Sequence, residues 1–273
     1  MAKTTSIAYA DSTWSPWVGC SHESPACSHC YAEAQNKFRK WNGGTWGPGT
    51  PRKVTAHASW RNPIRWNHEA ALGVCGKDGQ HWIVFVGDHC DIFDEEGPTD
   101  VRREMWELIR ATPHLTWLML TKRPQHFSQY LPADWGPGYE NVWLGVTAEN
   151  RHHAHQRLAI LRNTPAKLRF ASFEPLLEDL HDLNLDGIDW AIVGGESGGK
   201  ARPFDLAWAH TIKAMCKESS TKFFFKQTGA NPFEDGNEFK ITHKKPCGKR
   251  DVSGTYIGNF PIDLQVQSWP SMR

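Results

Sequence analysis

From about residue 81 onward, short apolar runs alternate with helical patterns, and that alternation confines the chain to very few architectures. The runs fall at residues 83–86, 117–120, 142–146, 168–171, 190–193 and 223–225. They are rich in β-branched and aromatic residues and lack polar alternation, which marks strands covered on both faces. Between several of them lie helical stripes. Val101, Met105, Leu108 and Ile109 form one, closed by Pro113; Ala154, Leu158 and Leu161 form another behind Asn150 as N-cap. A third, Trp208, Ile212 and Met215, follows Asp205. Strands and helices in turn mean an α/β chain built of parallel units.

Each run then leads into polar or charged residues. These are Gly87-Asp88-His89-Cys90-Asp91, Thr121-Lys122-Arg123-Pro124, Thr147-Ala148-Glu149-Asn150, Ser172-Phe173-Glu174-Pro175, Gly194-Gly195-Glu196-Ser197-Gly198 and Lys226-Gln227-Thr228-Gly229. One polar strand end means little, since every strand meets solvent somewhere. Six in succession predict a partial (β/α) barrel with parallel strands and a site at its C-terminal rim. A doubly wound open sheet is the alternative. Residues 41–79 show no periodicity and much Gly, Pro, Trp and His, so they read as an irregular insertion. After Gly229 the rhythm stops. The expected organisation is therefore a barrel over 1–229, with the insertion at about 41–79, and a C-terminal extension over 230–273.

Charge and cysteine usage narrow the function classes. Thirty-one basic and 30 acidic side chains leave a net charge of +1, which argues against coating nucleic acid by bulk charge but leaves room for local patches. No stretch approaches the roughly 18 apolar residues of a membrane span. The opening Met1-Ala2-Lys3-Thr4-Thr5-Ser6 lacks a signal peptide's apolar stretch, so a cytoplasmic location is expected, in the host cytoplasm for a phage-encoded chain. Seven cysteines in a reducing compartment are ligands or core fillers. Cys75, Cys90, Cys216 and Cys247 stand alone, and Cys90 reads as a plain buried thiol. Cys20, Cys27 and Cys30 fall together.

Cys20-x6-Cys27-x2-Cys30 supplies three thiolates, and the following 30–41 stretch predicts a helix with Tyr31, Ala34, Phe38 and Trp41 as its buried stripe. Three thiolates hold zinc if His22 or His29 joins them. They also hold three irons of a [4Fe–4S] cluster, leaving the fourth open. The spacing alone does not decide. A structural zinc module is normally small and self-contained, whereas this loop immediately precedes the array of polar strand ends. That context favours the cluster, whose open iron has room for the amino and carboxylate groups of S-adenosylmethionine.

The other candidates are weighed individually. Gly194–Gly198 lacks the Lys-Ser/Thr ending of a nucleotide-triphosphate loop; its glycines are expected to let the backbone approach a ligand, with Glu196 facing the pocket. Glu174, extended before Pro175, points to the barrel mouth, and an ion pair with Lys122, Arg123, Arg202 or Lys226 is its plainer role. Glu174, Glu196 and Lys226 are the candidate catalytic side chains. His152, His153 and His155 read as a solvated helix face. The basic run 244–250, with Lys122 and Arg123, is a candidate phosphate surface, and the Trp-rich 41–66 stretch a candidate for stacking or wedging bases.

Thr5-Ser6-Ile7, Thr13-Trp14-Ser15-Pro16, Gly19-Cys20 and Ser24-Pro25-Ala26-Cys27-Ser28-His29-Cys30-Tyr31-Ala32-Glu33 resemble the opening of the phage Gp37/Gp68 family of DUF5131-like proteins, a branch similar to radical S-adenosylmethionine enzymes. The resemblance continues through 116–124, 141–150, 170–175, 189–203 and 223–229, and covers about residues 4 to 254. The commonest radical enzymes of this type have three residues between the first two cysteines; this branch has six. The resemblance implies a partial barrel of the radical-SAM type, with Cys20, Cys27 and Cys30 ligating a [4Fe–4S] cluster. It implies an enzyme that cleaves S-adenosylmethionine to a 5′-deoxyadenosyl radical, which abstracts hydrogen from a substrate, with a reductant such as flavodoxin or ferredoxin. His29 and Tyr31 would lie near the adenine, Gly87 and Asp88 near the methionyl amino group, and Thr147, Glu149 and Asn150 at the ribose or carboxylate. The phage distribution, and a loose similarity to the enzyme that splits spore photoproduct, point to a nucleic-acid base or nucleotide as substrate, in DNA modification or repair. A zinc-stabilised, non-catalytic nucleic-acid-binding protein is the alternative, as is a radical enzyme acting on a peptide or small metabolite.

Overall fold

All six expected strands form, each longer at one or both ends than its apolar core, in a computed structural model that describes residues 2–247 and 249–270. Two compact units divide the chain, one running up to Val146 and including Asn163–Leu168, the other comprising Thr147–Arg162 and the chain from Arg169 onward.

The first unit contains β1 (Ser12–Trp14), β2 (Trp17–Val18), α1 (Tyr31–Arg39), β3 (Lys53–Val54), α2 (His57–Ala71), β4 (Trp82–Val86), α3 (Thr99–Arg110), β5 (Leu115–Thr121), the short α4 (Phe127–Tyr130) and β6 (Val142–Thr147). Strands β1, β4, β5 and β6 lie side by side in that order, all parallel. Ser12 pairs with Val84, Trp82 with Leu115 and Trp117 with Val142. Every residue of β4 and β6 is buried, as unbroken apolar runs require. Helix α3 buries Met105, Trp106, Leu108 and Ile109. Parallel pairing in register brings the loops after β4 and β5 to the same end, which is what builds the site described below.

The second unit contains α5 (Arg151–Asn163), β7 (Leu168–Phe173), β8 (Trp190–Gly194), β9 (Phe204–Asp205), α6 (Leu206–Glu218), β10 (Lys222–Gln227), β11 (Pro232–Glu234) and β12 (Asn237–Glu238). Strands β7, β8 and β10 are parallel neighbours, with Trp190 paired to both Phe170 and Lys222. Both predicted caps are made. Asn150 Oδ1 accepts from His153 N at 3.0 Å, and Asp205 Oδ1 from Ala207 N at 2.9 Å. The C-terminal extension returns along β10. Phe225 N donates to Val266 O at 2.8 Å and Ser268 N to Phe223 O at 3.1 Å, with Phe260 and Leu264 buried beneath. A free strand edge is thereby covered.

Two expectations fail. The 41–79 stretch is not irregular throughout, because residues 57–71 form α2. Its buried residues are only Pro63 and Trp66, too few to show a stripe, and Pro63 sits inside the helix. Trp66 is fully buried and Trp60, half-buried, packs edge-on against the core residue Trp14. Helix α1 forms as predicted but faces the other way. Its buried residues are Ala32 and Asn36, while Phe38 is 84% exposed and Tyr31 49%. The reason is the loop that follows. Asn36 Nδ2 donates to Asn42 Oδ1 at 2.5 Å and to Thr45 O at 2.8 Å, and Asn42 N returns a bond to Asn36 Oδ1 at 3.2 Å. A polar residue that fastens a loop outcompetes an aromatic stripe for the inner face. Among the described residues, no helix is long and apolar enough to cross a membrane.

Candidate functional site

Gly19 to Cys30 is irregular chain, and its thiols are held from several directions. Gly19 N donates to His89 O at 3.1 Å, anchoring the loop to the end of β4, and Gly47 N donates to Cys20 O at 3.0 Å. A short turn at Pro25–Cys27 buries Ala26, and Cys30 then serves as the N-cap residue of α1. Arg123 Nη1 donates to Cys20 Sγ at 3.7 Å and Glu23 N to Cys27 Sγ at 3.5 Å. Cys30 makes no side-chain cap hydrogen bond at the start of α1, and the N–H groups of Ala32 and Glu33 only oppose the rise of its pKa.

Arg123 is the hub. Its guanidinium also donates to Ser21 O at 2.8 Å and pairs with Asp91 at 3.3 Å and Glu23 at 3.3 Å, with the side chain only 5% exposed. Asp91 itself accepts from Thr121 Oγ1 at 2.7 Å, Lys122 N at 3.1 Å and Phe93 N at 3.0 Å. Arg52, 1% exposed at its side chain, binds Asp94 at 2.7 Å, Glu96 at 2.5 Å, Ser21 Oγ at 2.6 Å and the carbonyls of Gly47 and Thr50. The thiol loop is thus fastened by two buried arginines.

The electrostatics follow from this packing. Burial pushes the Cys20 thiol up to about 12, with Asp91 adding to the rise and Arg123 opposing it. Burial also raises Cys30, against the two N–H donors. Burial and the Cys20 sulfur drive Cys90 well above its ordinary value. Burial works against the Arg123 cation, yet Asp91 and Cys20 more than restore it. Thiols in such a setting keep their protons until a cation displaces them, so metal uptake here releases protons.

Of the strand-end residues, Asp88 meets α1, while Gly87 N donates to Trp14 O at 2.8 Å. Tyr31 Oη donates to Asp88 O at 2.8 Å; Asp88 Oδ1 accepts from Ser15 Oγ at 2.5 Å and pairs with His89 at 3.0 Å. Burial works to raise the Asp88 carboxyl, but His89 and Ser15 hold it below the usual range. His29 is exposed, and His22 Nε2 is bound to Glu33 at 2.7 Å. Among the described residues, no three His, Cys, Asp or Glu side chains converge at the spacing that holds a single metal ion.

The remaining candidates lie in the second unit, and there the structure supplies them with partners. Glu174 pairs with Lys226, the alternative weighed against a place at the barrel mouth. Glu196 turns to Arg202, accepting from its backbone N at 2.9 Å and its Nη2 at 2.7 Å. Glu149 is fully buried against Arg157 at 2.7 Å, and the same guanidinium donates to Thr147 O at 2.9 Å. Asn150 is occupied as the α5 cap, holding His153. His155 faces Asp182 at 3.4 Å. The glycines of 194–198 divide. A Cβ on Gly195 would stand 2.4 Å from Thr228 O, so this glycine serves close packing rather than ligand approach. Gly198 and Gly199 are open and help line a cavity of about 490 Å³ with Ala201, Ala230, Asn231, Val252 and Ser253.

In the basic run 244–250, Gly248 lies outside the described residues. Lys245 is tied to Asp251 at 3.3 Å and Thr255 at 2.6 Å, and the backbones of Lys244 and Arg250 pair antiparallel. Arg123, a candidate phosphate binder by sequence, is spent on Asp91, Glu23 and the thiol loop. Sequence reading missed Arg52 and the fastening role of Asp91. Asp91 and Arg123 carried a usable signal, since both follow strands that prove adjacent. Arg52, in an aperiodic stretch, carried none.

A search of curated proteins and a search of solved structures each return no match. Residues 4–261 match the family model described as protein of unknown function (DUF5131), and the chain belongs to that family.

Proposed function

We propose that this protein is a radical S-adenosylmethionine enzyme whose cluster is held by Cys20, Cys27 and Cys30, and that its fold is the partial (β/α) barrel of that type. The observation that carries the reading is the pair of hydrogen bonds to sulfur within one loop, from Arg123 to Cys20 and from Glu23 N to Cys27, with Cys30 at the start of the helix that follows. Hydrogen bonds to ligating sulfurs orient the ligand and tune a cluster's potential. The parallel strands within each unit, with polar residues at their C-terminal ends, support the fold reading.

When bound, a [4Fe–4S] cluster with one open iron supplies the electron that cleaves S-adenosylmethionine to methionine and the 5′-deoxyadenosyl radical. The chain's own residues do the rest. Arg52 and Arg123 hold the loop rigid and keep water from its base. Tyr31 and Asp88 pin the start of α1 to the loop after β4, and the Gly87 turn in that loop would receive the methionyl amino group. Glu174, Glu196 and Lys226, each ion-paired within the second unit, are the proposed proton-handling side chains. The substrate class is a nucleic-acid base or nucleotide, supported by the exposed aromatic and basic side chains of α1. A flavodoxin or ferredoxin supplies reducing equivalents, and a phage association accompanies the reading.

The test is anaerobic. The protein is reconstituted with iron and sulfide, reduced, and given S-adenosylmethionine, and 5′-deoxyadenosine is measured for wild type and Cys27→Ala. Formation of 5′-deoxyadenosine by wild type alone supports the reading. A colourless protein that carries one zinc and makes none overturns it.

A further inference from the structure

Helix α1 spends its inner face on Asn36 and leaves its aromatic rings outside. Phe38 is 84% exposed. Tyr31, seven residues earlier and so on the same face, is 49% exposed although its hydroxyl is bonded to Asp88 O. Burying a phenylalanine stabilises a fold by about 1.5–3 kcal/mol relative to exposing it, so folding alone gives no reason for this arrangement.

The charges around Phe38 indicate what the face is suited to. Lys37, Arg39 and Lys40 flank it, while the only acid of the helix is Glu33. Glu33 is shared by His22 and Lys37, and Lys37 still has 62% of its side chain exposed. Arg39, next to Phe38 in the chain, lies over the Trp41 ring at 5.6 Å, and that indole also packs edge-on against His89 at 4.6 Å. Rings flanked by cations suit a partner with flat faces and negative charge in alternation. Single-stranded nucleic acid has both, since its bases stack on aromatic rings and its phosphates pair with Lys and Arg. A duplex hides its base faces and offers phosphates alone. An acidic protein surface offers charge without rings to stack.

We infer that the outer face of α1 is a platform for single-stranded nucleic acid, with Phe38 as the stacking ring and Lys37, Arg39 and Lys40 as the phosphate-binding cations. Because α1 starts at Cys30, a strand lying along it is led to the thiol loop. The inference deepens the nucleic-acid reading above and rests on it only for where the strand leads; binding itself needs no cluster.

The experiment uses the full-length, metal-free protein. Fluorescence anisotropy follows a labelled oligothymidylate of about 20 nucleotides, and a duplex of equal length, at several salt concentrations. Wild type should bind the single strand more tightly than the duplex. Phe38→Ala should weaken single-strand binding by about tenfold without changing its salt slope. Replacing Arg39 and Lys40 by Gln should reduce that slope by about 0.7 for each phosphate that is no longer neutralised. Circular dichroism should show every variant folded. The inference is overturned if wild type ignores the oligonucleotide at low salt, or if Phe38→Ala binds it as wild type does. It is likewise overturned if Phe38→Ala affects only association with an acidic flavodoxin or ferredoxin. Formation of 5′-deoxyadenosine without strand binding defeats this inference alone. Strand binding without 5′-deoxyadenosine defeats the radical reading and leaves the platform standing.

Discussion

A buried thiol beside a carboxylate is a poor nucleophile and a poor ligand until a cation arrives, and Cys20 is in that position. Asp91 adds to the burial that keeps its proton on, and Arg123 sits between the two as a fixed positive charge. The arginine therefore has two duties, to neutralise Asp91 and to aim at the sulfur. Removing it leaves a carboxylate that is only 7% exposed without its cation. Breaking one side of a buried pair typically costs about 3–5 kcal/mol, most of it from the orphaned charge. Arg123→Gln should thus lower unfolding free energy by about 3 kcal/mol in urea titration of the metal-free protein. Adding Asp91→Asn should recover part of that loss, because the second change removes the charge the first one stranded. Additive losses would mean that Arg123 stabilises through packing and the Ser21 carbonyl instead. The residue types were legible at the ends of two strands, but their pairing was not. Which loops become neighbours depends on strand register, and that appears only once the strands are laid side by side.

At the level of elements, hydrophobic pattern succeeded where burial was two-sided and failed where a polar group had a better claim on the inner face. The six apolar runs became strands, and Asn150 and Asp205 capped the helices they precede, because those signals are local. Strand β1 is only three residues long, too short for any periodicity. Helix α2 buries just two residues and contains a proline, so nothing in its pattern distinguishes it from loop. Helix α1 is the sharpest case. Its aromatics at helical spacing read as a buried stripe, yet Asn36 holds the inner face by bonding Asn42 and Thr45. That inversion makes a paired prediction. Asn36→Ala should destabilise by about 1–3 kcal/mol, the cost of leaving buried loop groups unsatisfied. Phe38→Ala should stay within about 0.5 kcal/mol of wild type, as surface changes usually do. Thermal unfolding of the two variants decides it. Equal losses would show that Phe38 packs and that the outward face of α1 is wrong.

For the molecule as a whole, a net charge of +1 conceals strong local fields, and pH brings them out. Asp88 in the first unit and Asp251 in the second are both held below the ordinary carboxylate range. For Asp251 burial works to raise the value, but N–H bonds from Tyr256 and Thr255, the Asn259 amide and Lys245 outweigh it. Asp78 follows the same rule, held down by His81 and two backbone donors against its own burial. A carboxyl whose folded pKa lies below its unfolded value of about 3.9 contributes stability that is complete above that value. The contribution disappears as pH falls through the folded pKa, since the unfolded chain binds the proton first. Asp11 has the opposite sign, because burial raises it, and protonation therefore favours its folded form. Among the described residues, seven depressed carboxyls, those of Glu33, Asp78, Asp88, Glu96, Asp134, Asp182 and Asp251, against one raised should make the melting temperature fall steadily from about pH 5 to pH 3. Asp251→Asn should lower stability at neutral pH and flatten that fall, because it removes a charge that the fold holds with hydrogen bonds from Thr255, Tyr256 and Asn259 and an ion pair to Lys245. A variant with an unchanged slope would show that the segment around Asp251 does not share in the acid transition. Stability that rises toward pH 3 would mean that groups like Asp11 dominate, and that these carboxylates lie in a weaker field than their hydrogen bonds indicate.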